Sequence, residues 1–254
     1  MKPGTVVITG GASGIGRAFV ERWASRGWHV CVLDMNETAL GELASERVST
    51  FICDVANLEQ VQATIQAILT QQGAIDRLVH CAAIMPAGKL ATMDPKTTNL
   101  LMSVNYGGTV NVVHTVMLEM LIRDAGEIIV FGSTGGAIPV LDCGAYCATK
   151  AATNFYLEIL AEENRDTGLH FMLVCPPLVN TPLLQQAMAT AQPKTVSYSI
   201  EKQRYMTPNQ VVDAVERGLK KKVPILWPGM EAKILQWLRR FSPRLLWKVM
   251  HAAN

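Results

Sequence analysis

Tyr146 and Lys150 stand four residues apart in the segment YCATK. On a helix, residues at this spacing lie on the same face about one turn apart, so the ammonium can lie near the phenol and favour its ionised form. A phenol with a lowered pKa can both donate and accept a proton. The alternative is that Tyr146 and Lys150 are two ordinary exposed side chains on a helix, which would show the same spacing. Which of the two holds depends on the residues that the fold brings near them.

A glycine-rich segment near the start of the chain is a second candidate site. In VVITGGASGIG, a β-branched run leads directly into glycine and serine, and a helical pattern follows. Such a turn presents bare backbone N–H groups to an anion, and the helix N-terminus adds its positive end. The predicted ligand is a phosphate group, and the alternative is an ordinary glycine-rich turn. The predicted contacts are Gly10, Ser13, Gly14, Ile15 and Gly16.

Six short apolar runs alternate with longer amphipathic segments along the chain. Runs that are apolar on both faces and separated by helical patterns predict parallel strands covered by helices. The predicted fold class is α/β, a single Rossmann-like doubly wound parallel sheet with helices on both faces. One domain is expected over residues 1–229, and residues 230–254 form a C-terminal extension. The predicted strands are Thr5–Thr9, His29–Leu33, Thr50–Cys53, Arg77–Cys81, Glu127–Phe131 and His170–Cys175.

This sheet gives the glycine segment a specific ligand. The first strand-to-helix turn of a doubly wound sheet is where the pyrophosphate of a dinucleotide binds. Asp34, eighteen residues beyond Gly16, ends the second strand-like run. A carboxylate there accepts hydrogen bonds from both hydroxyls of the adenosine ribose and repels a 2′-phosphate. The predicted cofactor is therefore NAD rather than NADP, although a carboxylate that only caps the turn would give the same pattern.

The composition excludes several classes of function. A net charge of +2 is too small to indicate nucleic acid as a partner. Six cysteines without a C-x-x-C pair predict buried thiols in a reducing compartment, and five histidines without metal-ligand spacing predict no metal site. The first ten residues predict a strand rather than a signal peptide, and no long apolar run follows. We expect a cytoplasmic protein that does not span a membrane.

Further residues match one enzyme family in order and spacing. Gly10, Gly14 and Gly16 form G-x-x-x-G-x-G, and YCATK follows far downstream. With these motifs the chain resembles the short-chain dehydrogenase/reductase family in its form of about 250 residues, the length of this chain. Ser133 matches the family serine that hydrogen-bonds the substrate oxygen. Asn105 matches the asparagine of N-x-x-G, which bends its helix and holds a water in a proton relay.

The resemblance implies a mechanism. Ser133 and Tyr146 would hold a carbonyl oxygen while the nicotinamide delivers hydride to its carbon, and Tyr146 would donate the proton. Oxidation of the alcohol is the reverse. Lys150 would also bind the nicotinamide ribose, and Asn105 would connect the relay to solvent.

The resemblance also implies contacts with the rest of the cofactor. Asp54 matches the family acid that contacts the adenine, and Val55 would form an apolar wall for that ring. Ala82 matches the alanine of the N-N-A-G motif beside the cofactor. Val179 and Thr181, in CPPLVNT, would fix the nicotinamide carboxamide.

Two segments depart from the family pattern. N-N-A-G is replaced by His80-Cys81-Ala82-Ala83, which loses an asparagine that braces the sheet and a glycine beside the cofactor. Pro177 stands where the family has glycine, which removes a backbone N–H and fixes φ. Since neither change touches the proton-transfer groups, we expect catalysis to survive, with effects on nicotinamide placement and local stability.

The predicted function is an NAD-dependent oxidoreductase that interconverts a secondary alcohol and a ketone. The alternative is an NAD-binding sensor or scaffold without turnover, which would not need Asn105, Ser133, Tyr146 and Lys150 together. A sugar-nucleotide epimerase shares the Tyr and Lys but has a different glycine spacing and a longer C-terminal domain.

Substrate selection is expected from the irregular segment 181–206 and from loops at 83–91 and 137–145. Their side chains are mainly apolar and predict a bulky apolar alcohol or ketone, such as a steroid, a terpenoid or an acyl chain. Family members form homodimers or homotetramers through long helices, here around residues 98–122 and 146–166. The apolar candidates are Ile84, Met85, Ile138, Val140, Leu141, Leu178, Leu183, Leu184 and Met188.

The C-terminal residues 230–254 carry five Lys and Arg residues and a single acid, Glu231, a net charge of +4. Apolar residues at helical spacing and the Ser242-Pro243 start signal predict two short amphipathic helices. We favour packing of these helices on the catalytic domain or across a subunit interface, because most amphipathic helices serve cores. The alternative is peripheral attachment to anionic lipid, for which Trp237 and Trp247 are suited.

Overall fold

A computed structural model describes residues 3–252, without the side chains of residues 230–233 and 252. Within these residues a seven-stranded sheet has the order β3-β2-β1-β4-β5-β6-β7, and every pairing is parallel. The strands are β1 Thr5–Thr9, β2 His29–Asp34, β3 Val48–Ile52, β4 Arg77–His80, β5 Gly126–Phe131, β6 Leu169–Val174 and β7 Ile225–Leu226. The predicted doubly wound sheet is confirmed. The six predicted strands lie within two residues of their observed ends.

Helices connect the strands and cover both faces of the sheet. One core packs α3, α5 and α6 against one face, and the other packs α1, α2 and α9 against the opposite face. Alternate residues of β1 serve the two cores, Val7 in one and Val6 and Ile8 in the other. The helices are α1 Gly14–Ala24, α2 Glu37–Leu43, α3 Leu58–Gln72, α4 Pro95–Met102, α5 Gly108–Arg123, α6 Gly144–Glu163, α7 Pro182–Thr190, α8 Lys194–Glu201, α9 Pro208–Lys220, α10 Met230–Phe241 and α11 Pro243–Ala252.

The strand order creates a switch point between β1 and β4. The chain runs from β1 outward to β2 and β3, then returns to pair β4 on the other side of β1. Helices on the two sides therefore diverge at the carboxyl ends of β1 and β4, which leaves a crevice suited to ligands. The glycine turn after β1 opens directly into this crevice.

His80, in the segment that departs from N-N-A-G, makes a contact between β4 and β1. Its Nδ1 lies 2.8 Å from the hydroxyl oxygen of Thr9, its register partner on β1. The same hydroxyl oxygen accepts the N–H of Ala82 at 3.3 Å. The imidazole therefore connects β4 to β1 in this segment, and the expected effect of the lost asparagine on local stability stays a prediction.

The sequence pattern predicted an irregular segment at 181–206, and this prediction is wrong. The segment contains α7 and α8, whose N-cap residues are Thr181 and Pro193 respectively. Helices of nine and eight residues span too few turns to show a clear period. The two-residue strand β7 was missed for the same reason.

The C-terminal helices α10 and α11 fold back onto the catalytic domain. Leu246 and Met250 of α11 are buried against Ile138, and Leu235 and Leu238 of α10 pack beside them. Packing on the catalytic domain, the favoured alternative, is confirmed for this face. None of the helices in the described part of the chain is both long and apolar enough to cross a bilayer.

Candidate active site

A cavity of about 590 Å³ opens at the carboxyl ends of the strands. The glycine turn and the Tyr146–Lys150 pair, far apart in sequence, line the same space. Asn105 does not line it. The predicted site residues that do are Gly10, Ser13, Gly14, Ile15, Gly16, Asp34, Asp54, Val55, Ala82, Ser133, Tyr146, Lys150, Val179 and Thr181.

The glycine turn is held in a form that only glycine tolerates. Gly10 and Gly14 have φ values of +63° and +53°. A β-carbon at Gly16 would lie 2.3 Å from the carbonyl oxygen of Gly10, inside any allowed contact. The turn therefore closes tightly onto the first residues of α1 and leaves its backbone exposed toward the cavity.

The start of α1 fits the pyrophosphate of a dinucleotide. Ser13 is the N-cap residue, and its side chain makes no capping hydrogen bond. The first turn of α1 carries no acidic residue. Its N–H groups and the positive end of its dipole therefore remain available to an anion in the cavity.

Asp34 connects the glycine turn to the end of β2. Its Oδ2 accepts the N–H of Ala12 at 3.0 Å, and its Oδ1 accepts the N–H of Asn36 at 3.0 Å. Each carboxylate oxygen has two lone pairs, so each keeps acceptor capacity for a ligand hydroxyl. The carboxylate is thus fixed in orientation and still able to bind two hydroxyls.

The predicted adenine contacts follow β3. The Oδ1 of Asp54 accepts the N–H of Ala56 at 2.9 Å, which fixes the turn that carries Val55. The carbonyl of Val55 accepts a hydrogen bond from the side-chain amide of Asn111 at 3.0 Å. Both Asp54 and Val55 line the cavity on the Asp34 side of the sheet.

Ser133 and Tyr146 meet around Gly135. A β-carbon placed on Gly135 would lie 3.3 Å from Ser133 Oγ and 3.6 Å from Tyr146 Cε1. The Oγ of Ser133 accepts the N–H of Gly135 at 3.0 Å, which orients the hydroxyl at the start of a 3₁₀ turn. The two hydroxyl groups therefore border one region of the cavity, where they can act on one substrate oxygen.

Lys150 is buried beneath the pair. Its Nζ donates a hydrogen bond of 2.7 Å to the carbonyl of Phe131, at the end of β5. The same nitrogen lies 5.9 Å from the centroid of the Tyr146 ring. Burial lowers the pKa of Lys150 to about 8.

The predicted lowering of the phenol pKa is wrong for the protein alone. Burial raises the pKa of Tyr146 above its ordinary value, and a hydrogen bond with Ser133 opposes part of that rise. Desolvation outweighs the neighbouring charge because Tyr146 is only 9% exposed and the Lys150 ammonium is already engaged by a carbonyl. The phenol therefore keeps its proton at neutral pH.

Asn105 acts in this structure as a clamp behind the cavity. Its amide nitrogen donates to the carbonyl of Ile84 at 2.9 Å and to Thr149 Oγ1 at 3.0 Å, and its Oδ1 accepts the N–H of Ile84 at 2.8 Å. It lies in a π-helical turn, Ser103–Gly107, between α4 and α5. This turn accommodates the expected bend, while the relay role of Asn105 stays a prediction.

Thr181 and Val179 lie where the chain crosses toward the glycine turn. A β-carbon on Gly14 would be 3.1 Å from Thr181 Cγ2, so the two residues are neighbours. A parallel bridge pairs Val179 with Met206 and fixes this segment. Pro177 also lines the cavity, and the carbonyl of Pro176 accepts the N–H of Thr134 at 3.1 Å.

The far half of the cavity is largely apolar. Of the predicted substrate contacts, Leu141 and Met188 do not line it, whereas Ile84, Met85, Ile138, Val140, Leu178, Leu183 and Leu184 do. Sequence reasoning missed Leu235, Val249 and Met250, which reach the cavity from α10 and α11. The amphipathic pattern of these helices favoured packing on the catalytic domain or across a subunit interface, but it did not indicate that they line the cavity. Tyr198 and Arg204 were also missed.

Comparison with known proteins agrees with this arrangement. The sequence profile of the family described as short chain dehydrogenase matches residues 4–192. The protein belongs to the short-chain dehydrogenase family. This is a family of oxidoreductases whose fold binds a nicotinamide cofactor.

Relatives are similar at moderate identity. The chain is 33% identical to 2,5-dichloro-2,5-cyclohexadiene-1,4-diol dehydrogenase of Sphingobium indicum over 72% of this chain and 76% of that protein. It is 27% identical to the probable oxidoreductase EphD of Mycobacterium tuberculosis over 95% of its own length but spans only 43% of that protein. A short-chain dehydrogenase/reductase from Burkholderia phymatum, solved in complex with NAD, has the same fold, with a TM-score of 0.85, 24% identity and coverage of 96% and 95% of the two chains.

Proposed function

We propose that the protein is an NAD-dependent oxidoreductase that interconverts a secondary alcohol and a ketone. The observation that carries this proposal is the convergence of Ser133, Tyr146 and Lys150 on the cavity that also holds the glycine turn and Asp34. A protein that only bound a dinucleotide would need the glycine turn and Asp34, but not the three side chains Ser133, Tyr146 and Lys150. This convergence favours an enzyme over a sensor or scaffold without turnover.

The roles of the side chains follow from their positions. Ser133 and Tyr146 hold the substrate oxygen, and Tyr146 transfers the proton to or from it. Lys150, fixed by the carbonyl of Phe131, places a positive charge beneath the phenol. A bound nicotinamide cofactor supplies or accepts the hydride. Asn105 holds the loop at Ile84 against α6, which keeps the cavity wall in register with Tyr146.

Preference for NAD over NADP is proposed from the surroundings of Asp34. Its fixed carboxylate suits two ribose hydroxyls and disfavours a 2′-phosphate. Met35 follows it and lines the cavity, 67% exposed, where a cation could otherwise neutralise that phosphate. Ser13 lines the cavity from the glycine turn, a second place where an Arg or Lys could have paired with the 2′-phosphate.

The proposed substrate is a bulky apolar alcohol or ketone. The support is the apolar lining of the far half of the cavity, to which α10 and α11 contribute. The Sphingobium indicum relative is by its name a dehydrogenase of a cyclic diol. A ring alcohol is therefore a suitable first probe.

Incubation with NAD and a panel of cyclic and acyclic secondary alcohols, followed by the absorbance of the reduced cofactor, tests the proposal. Tyr146→Phe should lower kcat by on the order of a hundred- to ten-thousandfold, since it removes the phenolic proton. NAD affinity should change little. The matched control is Tyr156→Phe, on the same helix α6 but away from the cavity lining, which should keep its activity.

Two outcomes would contradict the proposal. If Tyr146→Phe kept more than about a tenth of the wild-type rate, Tyr146 would not be the acid/base. NAD binding by calorimetry, without turnover of any alcohol or ketone in the panel, would favour the sensor or scaffold.

We also propose that the protein is a cytoplasmic homodimer or homotetramer. Supporting the assembly, α5 and α6 expose apolar residues in the expected ranges, including Ile122 at 80% and Phe155 at 68%. Supporting the compartment, all six cysteines are free thiols, and burial raises the pKa of Cys31 and Cys143 to about 12, which keeps them unreactive.

A further inference from the structure

Helices α10 and α11 have a buried inner face and an exposed apolar outer face. The inner residues Leu246 and Met250 pack against Ile138 of the catalytic domain. On the outer side of α10, Ile234, Trp237 and Phe241 are each 61–62% exposed. An amphipathic helix that serves only a core would not expose residues of this size on its opposite face.

The exposed residues of α10 form one continuous surface. Ile234, Trp237 and Phe241 follow each other at intervals of three and four residues, so they lie on one face of the helix. The rings of Trp237 and Phe241 are 5.0 Å apart between centroids. On α11, Leu245 and Trp247 are 49% and 40% exposed.

Basic side chains accompany this surface. Arg239 and Arg240 on α10 and Arg244 and Lys248 on α11 are all exposed. Residues 234–252 contain no Asp or Glu, and none of these four cations forms an ion pair with a described side chain. The guanidinium carbon of Arg240 lies 5.8 Å from the Phe241 ring, so charge and aromatic surface are adjacent.

We propose that α10 and α11 dock the protein on an anionic lipid surface. Aromatic and aliphatic side chains beside exposed Arg and Lys are the combination that enters the interfacial region and pairs with anionic headgroups. A second copy of this chain fits the surface less well. A two-fold contact would place the same patch against itself and bring the exposed Arg and Lys of both copies together, with no Asp or Glu from residues 234–252 between them.

The docking surface belongs to the same two helices that close the cavity. Leu235 of α10 and Val249 and Met250 of α11 line the cavity. Lipid docking therefore places the apolar end of the cavity next to the membrane. That this serves the entry of an apolar substrate rests on the proposed function, whereas the docking itself does not.

The test is sedimentation of the full chain, without cofactor, with vesicles of phosphatidylcholine alone and with vesicles containing added phosphatidylglycerol. We expect binding to the anionic vesicles only, and we expect it to weaken as salt rises. Because no turnover is measured, a failure of this test and a failure of the proposed enzyme activity are distinguishable.

Two variants separate the apolar and the charged contributions. Trp237→Ser with Phe241→Ser, and Arg240→Glu with Lys248→Glu, should each weaken binding roughly tenfold or more. All four residues are exposed, so the fold should be retained. The matched control is Lys220→Glu with Lys221→Glu, an equal charge change in the exposed basic cluster at the end of α9, which should bind like wild type.

The proposal is overturned if the full chain does not bind anionic vesicles or binds neutral vesicles equally well. It is also overturned if the Lys220/Lys221 variant loses binding as strongly as the Arg240/Lys248 variant, since binding would then reflect charge alone. The surface would be assigned to a second copy by two results together. Wild type would not bind vesicles, and its oligomer, measured by light scattering, would dissociate in the Trp237/Phe241 variant.

Discussion

Replacing Asp34 tests the proposed preference for NAD over NADP. In Asp34→Ala both carboxylate oxygens are lost, and with them the acceptors of the Ala12 and Asn36 N–H groups. In Asp34→Asn one oxygen remains, the charge is removed, and the new amide group can only donate. Asn therefore tests the charge with part of the hydrogen bonding retained, and Ala tests both together.

The magnitude follows from the hydrogen bonds. A hydrogen bond to a charged group contributes about 1.5–3 kcal/mol, and Asp34 is half-buried, so the lower end applies. Loss of two ribose contacts at about 1.5 kcal/mol each, about 3 kcal/mol together, corresponds to a fall of somewhat more than about a hundredfold in kcat/KM for NAD. The loss of the two internal hydrogen bonds should also lower the free energy of unfolding by about 1–3 kcal/mol.

The assay is the ratio of kcat/KM for NAD to that for NADP, with urea unfolding in parallel. Wild type should prefer NAD, and both variants should shift the ratio toward NADP. The fall in kcat/KM for NAD should be larger in Asp34→Ala than in Asp34→Asn. Glu37→Gln is the control, since Glu37 is an exposed acid nearby in α2 that does not line the cavity. Wild-type preference for NADP would refute the reasoning. An equal fall for both cofactors in Asp34→Ala would reduce Asp34 to a structural role.

Two further predictions concern stability and assembly. Burial, with a smaller effect from the Lys150 charge, lowers the pKa of His80 from 6.5 to about 3. Between about pH 3 and pH 6.5 the unfolded chain therefore binds more protons at this residue than the folded chain. The contribution of His80 to the free energy of unfolding is full above about pH 6.5 and falls by up to about 1.4 kcal/mol per pH unit below it. Urea unfolding of His80→Asn should show a shallower fall, and parallel curves would contradict the assignment. Phe155→Glu should convert a wild-type oligomer to monomer in light scattering, whereas a monomeric wild type would contradict assembly through α5 and α6.

The fold was predictable because the strands are short runs of residues that are apolar on both faces. Val6, Val7 and Ile8 face two different cores, and only a sheet covered on both sides needs such a run. The glycine turn and Asp34 were found for a related reason, since both are positioned by the ends of adjacent strands. Strand order then places them together without any information on side-chain contacts.

The rest depended on contacts that spacing does not encode. The departure from N-N-A-G did not indicate that the ring of His80 reaches Thr9 on the neighbouring strand. The motif gave Asn105 a role in a proton relay, but it did not indicate that the side chain contacts Ile84 and Thr149 from a π-helical turn. In both cases the partner is more than 20 residues away in sequence.

The Tyr146–Lys150 pair shows how burial changes the conclusion drawn from spacing. Four residues of separation do bring the ammonium near the ring, at 5.9 Å, but the same helix also buries both groups. Desolvation disfavours the charged form of each, so it raises the pKa of the phenol and lowers that of the ammonium to about 8. At neutral pH the proton therefore stays on Tyr146 in the protein alone. Under the proposed function, the protonated Tyr146 would serve as the proton donor in ketone reduction, whereas alcohol oxidation would require the ionised phenol to be stabilised.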